Sequence, residues 1–383
     1  MTILSIRKSL LKEKEEEMNK TTEILKIYLD ERYVGRMVIS PEQLCVFEYD
    51  HEFIANGFSI SPFYLPLRSG IFTAKRDPFN GLFGIFNDSL PDGWGHLLID
   101  RYLQSKGIHP QSISILDRLS IVGSTGMGAL KYMPDNHIIV NDTIDDLNIL
   151  AQEVQKVISE QEYTESLDAL VEKGGSSGGA RPKVLLNIGG ESWIVKFRSR
   201  YDPNDIGEIE YKYSLIARNC GIQMPETALL EGKYFGVKRF DRIGKKRVHM
   251  HSISGLLYAS HRFPSLDYID LIKTTLALTK NMEEAFKMFR LMVFNVLTGN
   301  KDDHAKNFSF IYTGNQWLLS PAYDLVPNSG FNNQHSTTIA GKGNPEKTDL
   351  LLVAKECGLN LKKSQNIIDS VYTNSSDIRL VQW

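Results

Sequence analysis

The stretch Leu297–Tyr312, LTGNKDDHAKNFSFIY, sets two acids, a histidine, two lysines and two asparagines directly ahead of an apolar strand. A surface loop needs only some of these groups. A site that holds a metal ion and a polyphosphate uses nearly all of them, because Mg²⁺ takes hard oxygen ligands, usually one or two protein carboxylates completed by phosphate oxygens.

Asp302 is followed five positions on by Asn307, which leads straight into the strand Phe308–Tyr312. Gly314 supplies a turn, Gln316–Ser320 returns, and Asp324 follows in SPAYDLVPN. A hairpin brings the chain back to its start, so Asp324 is expected beside Asp302 and Asn307. Protein kinases use such a set: an Asp facing the substrate hydroxyl, an Asn five positions later on one Mg²⁺, and a second Asp beyond a hairpin on Mg²⁺. The plainer reading makes Asp302 and Asp303 solvated turn residues and Asn307 a strand cap.

A phosphate-covering loop and a lysine occur upstream in kinase order. GGSSGGARPK, residues 174–183, offers four glycines whose N–H groups can approach phosphate oxygens closely. It is not a P-loop, since no Gly-Lys-Ser/Thr ends it and a strand rather than a helix follows. Gly178, Gly179 and Ala180 are the expected nucleotide contacts. The strand SWIVKF then carries Lys196, which by its period of two shares a face with Ile194 and points away from Val195. A lysine among apolar neighbours is costly to bury alone; a phosphate and a glutamate would both satisfy it. The next helix offers Glu208 and Glu210, and Glu210, nearer the helix body, is the expected partner. A snorkelling edge lysine is the plainer alternative.

Taken together, GGARPK, VKF, EYKYSLIARNCGIQMPET, KRFDR, GNKDDHAKNFSF and AYDLVP resemble the HipA family, bacterial serine/threonine kinases that form the toxin half of toxin–antitoxin modules. YVGRM, NDSLPDGWG and LDRLSIVGSTGMGAL are similar to the family's N-terminal subdomain, so the likeness runs from about Glu23 to the end. The resemblance implies Asp302 as catalytic acid/base and Asn307 and Asp324 as Mg²⁺ ligands. It implies Lys196 on the nucleotide phosphates, the backbone around Lys238–Phe240 as the adenine hinge, and His304 and Lys306 lining the phosphate site. A fixed cation at Lys306 would offset charge on the transferred group; a structural hydrogen bond is the alternative for His304. The family's glycine loop carries a serine whose autophosphorylation ejects the loop, and Ser176 and Ser177 occupy that neighbourhood. A phosphoserine there would bring about −1.5 to −2 charge beside a phosphate site; two small flexible loop residues are the alternative. ATP and Mg²⁺ are the implied cofactors. A HipB-like helix-turn-helix antitoxin and a protein substrate, such as an aminoacyl-tRNA synthetase, are the implied partners, with operator DNA reached only through the antitoxin. The chain departs from the family at Lys238, where the best-known member has an acid, in a shorter run after Asp324, and in an extra charged leader.

The elements that would position these residues follow from pattern. Residues 1–22 read as a Lys/Glu-rich helical leader, and EILKIYLDERYVGRMVIS as a hairpin turning at Asp30–Arg32. A helix opens near Pro91 and stops at Gly107; another spans IGEIEYKYSLIARNC and stops at Gly221. From about Ser252 the chain reads as helical apart from the hairpin FSFIYTGNQWLLS. The expected fold is α+β, a two-lobed protein-kinase-like (phosphatidylinositol-kinase-like) fold with a β-rich N-terminal subdomain. The expected divisions are 1–22, 23–135, a small lobe over 136–250 and a helical large lobe over 251–383.

Composition narrows the function classes. At 383 residues the chain suits two or three domains at roughly 100–200 residues each. Lys+Arg 44 against Asp+Glu 46 leaves a net charge of −2 and no global nucleic-acid footprint. No apolar run approaches the ~18 residues of a membrane span, and the start is too charged for a signal peptide. Cys45, Cys220 and Cys357 are too few and scattered for a disulfide framework or zinc motif, which points to a reducing cytoplasm. His249 and His251 share a strand face but have no third ligand nearby, and Cys220 is expected to be buried and inert. Two rival functions stay open: a small-molecule or lipid kinase, and a catalytically silent nucleotide-binding subunit of a repressor complex.

Overall fold

In the computed structural model, residues 21–138, 146–159 and 167–381 are described. The expected leader helix therefore lies outside them, apart from residues 21 and 22. The chain forms two compact units, Met1–Asn204 with Gly244–Arg247, and Asp205–Ile243 with Val248–Trp383.

The first unit is built on an antiparallel sheet ordered β4-β3-β2-β1-β5, from β1 (Leu25–Leu29), β2 (Arg32–Ile39), β3 (Cys45–Tyr49), β4 (Ile71–Thr73) and β5 (Leu130–Met133). Alternation sets its register: Leu25 pairs Met37 and Ile27 pairs Gly35, and Leu25, Ile27 and Met37 are all fully buried on the core face. The turn falls at Asp30–Glu31, where Asp30 takes φ 52°, a conformation Asp tolerates. Against this face lie α1 (His51–Asn56) and α2 (Gly84–Asn87), with Phe86 5.4 Å from Phe47 and 6.4 Å from Tyr132, ring to ring. Buried hydroxyls are paired: Tyr49 donates to Leu65 O at 2.7 Å, and Tyr132 meets Ser89 Oγ at 2.6 Å.

The same unit continues with α3 (Gly93–Ser105), α4 (Ile115–Val122), α5 (Leu147–Ile158), α6 (Leu167–Gly174) and the hairpin β6 (Lys183–Ile188) with β7 (Glu191–Lys196). The helix expected near Pro91 begins at Gly93. Arg247 joins distant loops by donating to the carbonyls of Ser124, Gly126, Gly128 and Leu130, which absorbs the five-donor fork of a guanidinium.

The second unit contains α7 (Ile206–Asn219), the hairpin β8 (Thr227–Leu230) with β9 (Tyr234–Lys238), and β10 (His249–Ser252). It continues with α8 (Ile253–Leu257), α9 (Tyr268–Thr279), α10 (Met282–Thr298), β11 (Ser309–Tyr312), β12 (Trp317–Leu319), α11 (Lys347–Glu356) and α12 (Leu361–Asn374). The hairpin after the opening stretch is present, and it gains a third strand: β10 pairs β11 through His251 and Phe310. The reading from Ser252 onward missed this pairing, because the partners are about sixty positions apart. α10 is the core helix, apolar on nearly every face and buried from Glu284 onward except Lys287 and Arg290. It ends at Gly299, whose φ of 68° is the left-handed stop that glycine supplies.

All three cysteines are buried. Burial pushes the Cys45 thiol up to about 12, and Cys220 and Cys357 up to about 11. At pH 8 these groups stay protonated and covered, so the native protein should give no fast reaction with an aromatic disulfide reagent, while the unfolded chain should react at three sites. Stoichiometric labelling of the native state within seconds would contradict this.

Candidate active site

The loop after α10 carries the acid-rich stretch, and the helix end fixes where it starts. Asn300 N–H donates back to Asn295 O at 3.0 Å, and Asn300 Nδ2 donates to Asn295 Oδ1 at 3.1 Å. A short 3₁₀ turn, Ala305–Asn307, follows, with His304 as its cap: Lys306 N–H donates to His304 Nδ1 at 3.3 Å. The His304 side chain thus holds loop backbone, as its structural alternative supposed.

The segment around Asp324 runs beside this loop. Lys301 N–H donates to Asn328 O at 3.1 Å and Asn328 N–H to Gly299 O at 3.0 Å. Asn300 Nδ2 also lies 3.4 Å from Asp324 O. Tyr323 Oη donates to Lys306 O at 2.7 Å and lies 2.5 Å from Ser309 Oγ. Asp324 itself takes φ 54°, a left-handed conformation that Asp tolerates. Asp302, His304, Lys306, Asn307 and Asp324 are thus brought to one loop cluster. Phe240 reaches its edge, its ring stacked 5.9 Å from Tyr323.

The donor set suits a hard cation. Asn307 Nδ2 donates to Asp302 O at 2.7 Å, so the amide oxygen is the end left to face a metal. Asp324 adds carboxylate oxygens, and one or two such ligands are what Mg²⁺ asks of a protein when phosphate oxygens complete its shell. Among the described residues no group of three His, Cys, Asp or Glu could hold a metal. His249 and His251 are instead buried, His249 with its ring 5.5 Å from that of Trp317.

Asp303 is not a solvated turn residue. It is 1% exposed and accepts from Tyr268 Oη at 2.8 Å, Ser336 N–H at 2.8 Å and Thr337 N–H at 3.3 Å, with His335 Nδ1 2.8 Å from Oδ2. Thr337 Oγ1 donates to Asp303 O, and Asn295 Nδ2 donates to Tyr268 Oη at 2.9 Å. Burial, with the Asp303 carboxylate beside it, holds the Tyr268 hydroxyl well above the usual phenol range, so it remains a donor. Nothing local in the sequence flags this network, because its members are about thirty residues apart.

Downstream of β9, Arg239 forks onto Asp241 (Nε–Oδ1 2.9 Å, Nη2–Oδ2 2.7 Å), and Arg242 Nη1 reaches the same carboxylate at 2.8 Å. Asp241 is fully buried, so these cations pin the chain on either side of Phe240. Lys238 N–H donates to Glu226 O at 2.9 Å. Glu210 lies buried in α7.

In the first unit, Lys196 ends β7 opposite Lys183 and is half-buried, while Val195 is fully buried, the alternation expected of it. The glycine loop sits on the first turn of α3. Gly179 N–H donates to Asp92 Oδ2 at 2.9 Å, so the N–H expected to face phosphate is held by a carboxylate. Lys183 Nζ donates to Gly178 O at 2.6 Å, and Trp94 Nε1 to Lys183 O at 3.0 Å. Gly179 has φ 89°, a left-handed backbone that favours glycine. Asp92 is at the cap position of α3 yet makes no cap bond; its partner lies 87 residues away, and no local motif announces the contact. Ser176 and Ser177 are both buried, Ser177 Oγ donating to Gly174 O at 2.6 Å and Ser176 Oγ to Thr125 O at 3.3 Å.

Gly95 packs directly under this loop. A Cβ there would stand 2.7 Å from Gly175 O and 2.8 Å from Ser177 O, both backbone. Gly95→Ala should therefore displace the loop at a cost of about 1–3 kcal/mol, read as a lowered melting temperature. An unchanged melting temperature would show that the loop does not depend on this seat.

Comparison with known proteins agrees with this layout. The family model for the HipA N-terminal domain matches residues 25–133, and that for the HipA-like C-terminal domain matches residues 175–378. A Sinorhizobium fredii protein, Y4dM, a kinase by name only, is 28% identical over 286 residues, covering 66% of this chain and 66% of its own. A Haemophilus influenzae protein, also a kinase by name only, is 27% identical over 195 residues, covering 44% of this chain and 57% of its own. The chain thus spans less than two thirds of the length of either relative, 66% of the first and 57% of the second. HipA in the Shewanella oneidensis MR-1 complex of HipA, HipB and operator DNA superposes with a TM-score of 0.67 at 21% identity, over 91% of this chain and 88% of that one. The α+β, kinase-like fold expected from the sequence is the fold of the chain. Among the described residues no helix is long and apolar enough to cross a membrane.

Proposed function

The chain belongs to the HipA family, and on that premise we propose that it is an ATP- and Mg²⁺-dependent serine/threonine protein kinase. The observation that carries this reading is the loop cluster, where Asp302, Asn307 and Asp324 are gathered by the Asn307–Asp302, Asn300–Asp324 and Tyr323–Lys306 hydrogen bonds. Unlike Asp303, whose carboxylate is used up in buried structural bonds, this set offers oxygen-bearing side chains from both ends of the hairpin.

In this reading 136–250 is the nucleotide-covering lobe and 251–383 the catalytic lobe. Asn307 and Asp324 would hold Mg²⁺, which would neutralise charge on the phosphates. Asp302 takes the proton of a serine or threonine hydroxyl as its oxygen forms a bond to the γ-phosphorus, the bridging P–O bond breaks, and ADP leaves with that electron pair. Lys306 offsets charge on the transferred group. Lys196 and the loop residues Gly178, Gly179 and Ala180 position the phosphates, the Gly179 N–H exchanging Asp92 for a phosphate oxygen, while the backbone of Lys238–Phe240, held by the Arg239–Asp241–Arg242 triad, reads the adenine. Because Ser176 and Ser177 are buried with their hydroxyls engaged, self-phosphorylation requires the loop to lift first, and the added charge then opposes its return. By analogy with the neighbouring complex, a HipB-like helix-turn-helix antitoxin is the proposed partner, with DNA contacted through it and the protein acting in the cytoplasm on a protein substrate such as an aminoacyl-tRNA synthetase.

The test is steady-state ATP turnover with and without Mg²⁺. Turnover should vanish on chelation, and Lys196→Ala should raise the KM for ATP by roughly 10- to 100-fold, the worth of a charged hydrogen bond to phosphate. ATP binding without turnover would favour a silent nucleotide-binding subunit, and transfer only to small alcohols a small-molecule kinase.

A further inference from the structure

Asp302 lines a cavity of about 240 Å³, walled by the segment Ser260–Leu266 on one side and by Phe331, Ser336 and Thr337 on the other. Phe263 is 73% exposed and Phe331 74%, both at the mouth of this one cavity. The volume lies below the roughly 300–1,000 Å³ of pockets that enclose a drug-sized ligand, and suits one or two side chains. We infer that this cavity takes the acceptor segment of a protein substrate in extended form, with Phe263 and Phe331 selecting a large apolar residue next to the accepting serine or threonine. The inference rests on the kinase reading and names the substrate class of that same site.

Both walls are fixed relative to Asp302, as specificity requires. Lys301 Nζ donates to Asn333 O at 2.9 Å and to Asn333 Oδ1 at 2.8 Å, while Asp303 accepts from Ser336 and Thr337 N–H. The two residues flanking Asp302 thus anchor the wall that carries Phe331. The opposite wall is tied through Thr338 N–H to Leu266 O at 3.0 Å, and His261 stands 5.9 Å, ring to ring, from His304. A side chain entering between the phenylalanines meets a preformed surface, so little ordering opposes its binding.

Charge points the same way. Arg262 lines the cavity, is exposed, and its guanidinium meets no carboxylate among the described residues. Asp302 is the acid of the lining and Arg262 its cation. A segment that sets an acidic residue beside Arg262 is attracted, and one that sets lysine or arginine there is repelled. A lipid headgroup or small sugar offers no apolar side chain for the two rings.

The experiment is a positional-scanning library of serine and threonine peptides, incubated with the full chain, Mg²⁺ and γ-labelled ATP, with self-labelling and ATP hydrolysis read in the same tubes. Leucine, methionine or phenylalanine beside the acceptor should raise kcat/KM by about 10- to 100-fold over glycine or lysine, mainly through KM. Phe263→Ala and Phe331→Ala, at exposed positions, should keep the wild-type melting temperature and lose that preference. A flat profile, a preference that survives both alanines, or self-labelling with no peptide transfer overturns the inference alone. Absence of any ATP turnover or label removes it together with the kinase reading beneath it.

Discussion

Asp302→Ala should lower phosphoryl transfer by about 10²–10⁴-fold or more, the usual worth of a positioned general base, while the melting temperature stays within a degree or two. The separation of these effects follows from how the loop is held. Asn307 grips the carbonyl of residue 302 rather than its carboxylate, Asp303 supplies the buried anchor, and His304 caps the turn. Removing the Asp302 side chain leaves all three in place. The check is an initial-rate assay beside a thermal melt of the same preparation, and transfer at the wild-type rate would take Asp302 out of the mechanism.

The neighbouring residue should behave in the opposite way. Asp303→Ala strips a fully buried carboxylate from Tyr268, His335 and two backbone N–H groups, leaving several buried donors unsatisfied at once. Each buried donor left unsatisfied costs about 1–3 kcal/mol, so the loss is roughly 3–5 kcal/mol over the set, which for a unit of this size lowers the melting temperature by roughly 10 °C. Asp303→Asn keeps one acceptor and should cost less, and Tyr268→Phe, which removes one donor, should cost about 1 kcal/mol. A melt of Asp303→Ala within 2 °C of wild type, a margin far inside the roughly 10 °C expected, would show that the network carries no net stability. Two adjacent aspartates thus divide the work, one facing the cavity and one facing the core.

That division marks the limit of what the sequence disclosed. The β1–β2 and β6–β7 hairpins and the helix α7 were legible because their periodicity is local and their turns carry Asp, Gly or a capping signal. The grouping of Asp302 and Asn307 with Asp324 was legible because a hairpin returns a chain to its origin. Asp303, Tyr268, Asn295 and His335 were not, since each is an ordinary polar residue until folding brings it to the others. The Asp92–Gly179 bond and the four carbonyls on Arg247 link positions between 87 and 123 residues apart, where no pattern of neighbours points from one to the other. Phe263 and Phe331 were passed over for another reason: an apolar residue in a loop is unremarked until it is seen exposed beside an acid.

The central claim is that this chain moves a phosphoryl group from ATP to a hydroxyl using the Asp302 cluster. The most direct measurement is to incubate the purified protein with Mg²⁺ and γ-labelled ATP and to map phosphate on its own peptides by mass spectrometry. Label on Ser176 or Ser177, absent from Asp302→Ala and from a chelated control, is the predicted result. Measurable ATP binding with neither label nor hydrolysis would contradict the account.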